Sequence, residues 1–275
     1  MNTDDQQQPV ALDVDLDLPA TASAEQAGLA EDADDDPLSR LKLLIGSDAV
    51  ERLAGMRIVV AGLGAVGSFA VEALARSGVG CLRIIDFDSV APSNINRQLF
   101  ALHSTIGQSK VAVAQQRIAE IAPQCRVEPI IARVGKDNIF SLLQPRPDVV
   151  IDAIDSVCDK VSLIWACLSH QVPVVSSMGA ARRFDPTCVR VGSLSEIQGC
   201  PLAKKVKKEL KTVGYAENSA FSDFRCIYSI EPPAELRREG AGGCTSARAM
   251  GSSVCVTGVF GLVAAREAIR IILQA

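Results

Sequence analysis

The 275-residue sequence contains no CxxC pair. Its nine cysteines stand at 81, 125, 158, 167, 188, 200, 226, 244 and 255, and no two are three apart, which argues against a zinc ribbon. The odd count, with no signal sequence, fits reduced thiols in a cytoplasmic protein better than a disulfide framework. Histidine is scarce. Only His103 and His170 occur, and both lie outside the motifs described below, which disfavours a dehydrogenase. Positions 1–37 lack basic residues altogether, with 11 Asp/Glu and no Lys/Arg. That stretch has no sustained hydrophobic period and reads as a disordered acidic tail. It also lacks the basic start and apolar run of a signal peptide. No membrane span is expected. The longest uncharged stretch near the end, Ala249 to Ala265, falls short of the about 20 residues a spanning helix needs and reads as a buried helix. No internal repeat is evident.

What remains is one sizeable folded unit, residues 38–275. The net charge of −4 averages two unlike regions. Of 32 acidic residues 11 lie in the tail, so the rest carries 21 against 28 basic, a net of +7. A mildly basic surface permits a nucleic-acid partner without proving one.

The most informative stretch is Gly62-Leu-Gly64-Ala-Val-Gly67, which follows the apolar run from Arg57 to Ala61 and opens a helical pattern from Val66 to Ser77. A strand that turns through glycines into a helix leaves backbone N–H groups where a phosphate can sit. The first glycine permits the turn, the second lets backbone approach the phosphates, and the third lets helix pack on strand. Asp86 ends the next apolar run, 24 residues after Gly62, near the offset of a carboxylate that takes ribose hydroxyls. These features specify an adenine nucleotide, with NAD, FAD and ATP all open.

Strand and helix patterns alternate over residues 57–176. One or two short helices over 38–53 precede the first strand. Helices are predicted over 108–121, 137–143 and 157–170, and strands over 126–131, 147–152 and 172–176. The expected fold class is α/β, a Rossmann-like, mostly parallel sheet with helices on both faces. Residues 38–178 form its nucleotide-binding half. The pattern changes after Met178, so 179–275 is expected to be a smaller antiparallel and helical lobe that faces the substrate. Two short antiparallel strands are predicted over 182–194, a basic helix over 202–213, a loose polar stretch over 215–223 and a strand over 225–230. A glycine-rich loop follows Pro232 and Pro233. Last comes a helical region over 246–273, interrupted by Gly251, Gly258 and Gly261.

Three further segments lie just beyond strand ends on the nucleotide side. They are Asp86-Phe-Asp88 running on to Asn94-Ile-Asn96-Arg97-Gln98, then Gly107-Gln-Ser-Lys110, then Asp152-Ala-Ile-Asp155-Ser156. They offer one carboxylate for ribose, two cations for phosphates and a second carboxylate for a metal. Adenylation needs that set, because attack of a carboxylate on the α-phosphorus of ATP builds negative charge on phosphate oxygens. These residues resemble the ThiF-type, ubiquitin-activating-like superfamily of ATP-dependent adenylyltransferases, from Leu38 to the end. The resemblance implies ATP and Mg²⁺, with Asp86 on the ribose and Asn94, Arg97 and Lys110 around the phosphates. Gln98 is their neighbour, and Asp155 carries the metal. It also implies an arginine supplied in trans from before the first strand, and therefore a homodimer. Arg40 matches that arginine, while Pro37 and Leu38 replace the usual preceding arginine and aromatic residue.

Within the superfamily, sulfur-carrier activators usually carry paired CxxC motifs, which are absent here. The Asp152–Ser156 segment, Ser176-Ser-Met-Gly179-Ala180, Asp185-Pro-Thr and the lysine-rich helix resemble bacterial tRNA threonylcarbamoyladenosine dehydratases instead. That resemblance implies ATP-driven cyclisation of threonylcarbamoyladenosine beside the tRNA anticodon. The alternative is activation of the C-terminal glycine of a sulfur-carrier or ubiquitin-like protein, and a third reading is nucleotide binding without turnover. Cys244 in Gly242-Gly-Cys244-Thr-Ser246 aligns with a cysteine of the dehydratases. It is a candidate thiol, and a sulfur-transfer protein is a candidate partner. Cys226, inside a strand, is a weaker candidate. Lys204, Lys205, Lys207, Lys208 and Lys211 crowd one helix and are candidates for tRNA backbone contact. Arg182, Arg183, Arg237 and Arg238 are candidates to extend that surface.

Overall fold

The computed structural model describes residues 36–214, 224–235 and 250–274. Two short helices, α1 (Ser39–Ile45) and α2 (Ser47–Ala54), lead into β1 (Arg57–Ala61). Then follow α3 (Gly67–Arg76), β2 (Cys81–Asp86), α4 (Lys110–Ile121), β3 (Arg126–Ile131), α5 (Ile139–Leu142), β4 (Val149–Asp152), α6 (Val157–Ser169) and β5 (Val174–Ser177). The chain ends with β6 (Val189–Gly192), α7 (Pro201–Thr212), β7 (Arg225–Ser229) and α8 (Val254–Gln274).

The seven strands form one sheet in the order β3-β2-β1-β4-β5-β7-β6. Every neighbouring pair is parallel except β6 with β7. Strand order reverses between β1 and β4, which opens a crevice beyond their carboxyl ends. Side chains alternate between the two faces of β1. Ile58 and Val60 join the core beneath α3, α4 and α8, and Val59 and Ala61 join the core beneath α6 and α7. Burial on both faces explains why the central strands read as unbroken apolar runs.

The long helix expected of the C-terminal part is present, and β6 with β7 forms an antiparallel pair within the same sheet. Only one of the two strands predicted over 182–194 forms, and its partner is β7. Residues 182–185 are bound elsewhere: Arg182 N–H donates to Gly251 O at 2.8 Å, and Phe184 and Asp185 N–H donate to the Glu231 carboxylate at 2.9 Å each. Asp185 then accepts from Thr187 N–H and caps a 3-10 turn. Nor do Gly258 and Gly261 interrupt α8, which runs unbroken for 21 residues. A Cβ on Gly261 would stand 2.3 Å from Val66 O and 2.7 Å from Phe69 Cβ, so this glycine is where α8 lies directly on α3. The acidic stretch 1–35, the polar stretch 215–223 and the loop 236–249 lie outside the described residues.

Candidate active site

The glycine loop joins β1 to α3 at the crevice. Gly62 has φ +91, and a Cβ there would stand 2.7 Å from Ala153 O, while one on Gly67 would stand 1.7 Å from Gly62 O. Only glycine fits either position. At Gly64 a Cβ would meet nothing nearer than Gln98 Nε2 at 3.8 Å, so this face stays open for a ligand's approach. Asp86, buried at the end of β2, braces the loop. Its Oδ2 accepts from Leu63 N–H at 2.6 Å and its Oδ1 from Asp88 N–H at 2.8 Å. A carboxylate offers about four acceptor sites, so two remain for ribose hydroxyls.

Lys110 opens α4 and is buried, with Nζ donating to Asp88 Oδ2 at 2.9 Å. A single β-bridge between Ser89 and Ser109 holds the two segments together. The ammonium keeps two further protons to donate. Arg97 is exposed. One of its terminal nitrogens donates to Ser93 O at 2.7 Å and to Asn96 Oδ1 at 2.9 Å, and it makes no ion pair among the described residues. Asn94 Oδ1 accepts from Ala91 N–H at 3.1 Å and shapes the turn that delivers Arg97. Asn96 Nδ2 ties that turn to Ser252 O, ahead of α8, at 3.1 Å. Gln98 is buried beside the glycine loop.

Asp155 stands between β4 and α6. It is exposed and has no hydrogen bond or ion pair among the described residues. Those residues also hold no group of three or more His, Cys, Asp or Glu able to cage a metal. One free carboxylate in a phosphate crevice nevertheless fits Mg²⁺, which is commonly held by one or two carboxylates together with substrate phosphates.

Beneath Asp155 lies an ion pair that the sequence reading missed. Lys160 and Asp152 are both fully buried, with Lys160 Nζ 2.7 Å from Asp152 Oδ2. A lysine one turn into a helix, next to Asp159, reads as a surface charge, and no local signal marked its burial.

The remaining candidates stand on other elements, and Cys226 is the register partner of Ser176 beside the ion pair. Leu38, at the entry to α1, packs where a Cβ on Gly78 would be, 2.7 Å from Leu38 Cδ1. Gly78 follows the far end of α3, a helix about 15 Å long at 1.5 Å per residue. The fold therefore does not bring Arg40 to its own chain's glycine loop. Beside Arg40, Leu43 and Leu44 are 80% and 68% exposed. On α7, Ala203, Val206 and Leu210 face the core, Lys204, Lys205, Lys208 and Lys211 are exposed, and Lys207 is half-buried. The start of α7 adjoins the exit of β5, where a Cβ on Gly179 would meet Cys200 Sγ at 3.3 Å. Arg183 is buried and donates to the backbone oxygens of Gly179 and Glu231, so it adds no charge to the surface. Burial pushes the Cys226 thiol well up, which argues against a nucleophile there. Arg237, Arg238 and Cys244 lie outside the described residues.

Residues 38–275 match the model of the ThiF family. A Bacillus subtilis protein named tRNA threonylcarbamoyladenosine dehydratase is 40% identical over 73% of this chain and 77% of its own length. The crystal structure of the Escherichia coli tRNA N6-threonylcarbamoyladenosine dehydratase in complex with ATP superposes with a TM-score of 0.81 and 35% identity. That match covers 88% of this chain and 96% of the other. A Salmonella typhimurium molybdopterin-synthase adenylyltransferase is 37% identical over a shorter span, 57% of this chain and 64% of its own.

Proposed function

The chain belongs to the ThiF family, and from that premise we propose that it is an ATP-dependent tRNA threonylcarbamoyladenosine dehydratase. The observation that carries this reading is the extent of similarity. Likeness to the dehydratases continues past the nucleotide-binding half, whereas likeness to the molybdopterin-synthase adenylyltransferase covers little more than half the chain.

ATP binds with its ribose on Asp86 and its phosphates between the glycine loop, Arg97 and Lys110. The two cations offset the charge that develops when the substrate carboxylate attacks the α-phosphorus and pyrophosphate departs. Lys110 reaches the phosphates while keeping its bond to Asp88, and Asn94 and Gln98 hold the Arg97 turn in place. Asp155 would hold Mg²⁺, which would supply further positive charge at the phosphates. Attack within the threonylcarbamoyl group then closes the ring and expels AMP, which carries away the carboxyl oxygen. The nucleoside thereby loses the elements of one water. A neighbouring nucleophile in the same molecule has a high effective molarity, so the scheme assigns no covalent step to Cys244.

In this reading Arg40 serves the ATP of a second copy across a homodimer, with Leu43 and Leu44 facing the partner. Residues 179–275 face the substrate, and the α7 lysines lie along tRNA backbone. A tRNA substrate places the reaction in the cytoplasm. The second reading, activation of a carrier protein's C-terminal glycine, rests on the molybdopterin-synthase relative and would bring a sulfur-transfer partner. AMP release from ATP separates the two. Release is expected on addition of threonylcarbamoyladenosine-bearing tRNA. No release with that tRNA, but release of pyrophosphate with a protein ending in Gly-Gly, whose acyl-adenylate keeps the AMP, would overturn the first reading in favour of the second.

A further inference from the structure

The buried pair beneath Asp155 has more bonds than an ion pair needs. Lys160 Nζ donates to Asp152 Oδ2 at 2.7 Å, to Ser177 O at 2.9 Å and toward Ser176 Oγ at 3.4 Å. Asp152 Oδ2 also accepts from Ser176 Oγ at 2.6 Å, and its Oδ1 accepts from Ile154 N–H at 3.1 Å. Four groups from three elements thus meet at one point. Lys160 comes from α6, Asp152 from the end of β4, and Ser176 and Ser177 from the end of β5. The bond to Ile154 fixes the turn whose next residue is Asp155. The same turn forms the floor of the glycine loop, since Ala153 O fills the space beside Gly62.

Burial of both partners makes stability a poor explanation for the pair. Desolvation of two charges offsets much of their attraction, and apolar residues of like volume often serve as well or better. What the pair supplies is direction. It sets the end of β4, the end of β5 and the start of α6 in one register, and Asp155, with no side-chain hydrogen bond among the described residues, projects from that junction. We propose that Lys160 is a positioning residue for adenylation, acting through Asp152 and Ser176 to hold the turn that presents Asp155 to the triphosphate. The proposal rests on the adenylation reading above. Asp86 gives the glycine loop a second support through Leu63 N–H, so the network is expected to affect turnover more than nucleotide affinity.

The test compares Lys160→Met, Lys160→Arg and the double variant Lys160→Met/Asp152→Asn with the wild type. The double variant leaves no unpaired buried charge, so it separates positioning from simple failure to fold. Each is assayed for ATP binding by calorimetry, for AMP formation with threonylcarbamoyladenosine-bearing tRNA, and for the folded fraction by thermal melting. Wild-type AMP formation checks the underlying reading separately from the variants. Per folded molecule, the double variant is expected to keep its Kd for ATP within about threefold while kcat falls by about 30-fold or more, the scale of a misplaced charged group. Lys160→Arg, which keeps the charge and a donor fork, is expected to recover most of the turnover. Wild-type kcat per folded molecule in the double variant would overturn the proposal, as would a loss of kcat matched by an equal loss of ATP affinity.

Discussion

Asp86 has two tasks at one position in the proposed site, because the carboxylate we assign to the ribose also pins Leu63 N–H at 2.6 Å. Asp86→Asn is therefore expected to weaken ATP binding through the loop as well as the sugar, with a loss greater than one hydrogen bond of about 1 kcal/mol would give. Calorimetry with ATP checks it. Lys110→Ala is expected to leave ATP binding largely intact and to lower kcat for AMP formation by about 10²–10³, the usual effect of removing one preorganised donor. Gly62, Gly67 and Asp86 were legible in the sequence because the positions tolerate so little else. A Cβ on Gly67 has nowhere to go, at 1.7 Å from Gly62 O. Lys160 was not legible, because nothing local distinguishes a lysine that points under the sheet from one that points to water.

Among the elements, α8 shows how a sequence rule can give way to packing. Three glycines in an apolar stretch suggested a broken helix, yet Gly261 is needed where Val66 O comes within 2.3 Å of the missing Cβ. Gly261→Ala is expected to destabilise the protein by about 1–3 kcal/mol, the usual effect of overpacking, and thermal melting measures it. Likewise β6 pairs with β7, because the segment predicted as its hairpin partner is bound to Gly251 and Glu231. Long-range bonds of that kind leave no local pattern. The parallel strands did leave one, as apolar runs buried on both faces. On α7, replacing Lys204, Lys205 and Lys208 with Glu is expected to weaken tRNA binding and to flatten its salt dependence by about one unit of slope per lost phosphate contact. Filter binding across a salt series reads both, and unchanged binding by a folded variant would remove α7 from the interface.

For the whole molecule, Arg40 lies away from its own chain's glycine loop, and the proposed homodimer makes the active unit a matter of assembly. Mixed with Lys110→Ala chains, Arg40→Ala chains are expected to regain activity, because each hybrid dimer then has one complete site. Random pairing gives about a quarter of wild-type turnover, and no recovery would show that Arg40 does not act across an interface. Acid stability is also set globally. Burial pushes the Glu267 and Glu128 carboxyls up, but clustered arginines outweigh it. Arg270 and Arg266 hold Glu267, and Arg83, Arg57 and Arg126 hold Glu128, below the ordinary 4.5. A depressed folded pKa contributes stability that is fully present above the unfolded value and is lost as pH falls through the folded one. The melting temperature is therefore expected to hold from pH 7 to about 5 and to fall below about 4.5. The most direct measurement of the proposed activity is mass spectrometry of nucleosides from threonylcarbamoyladenosine-bearing tRNA incubated with the protein, ATP and magnesium. The account predicts that the modified nucleoside loses the mass of one water with wild-type protein and keeps it with Lys110→Ala. An unchanged nucleoside with folded, ATP-binding wild-type protein would contradict it.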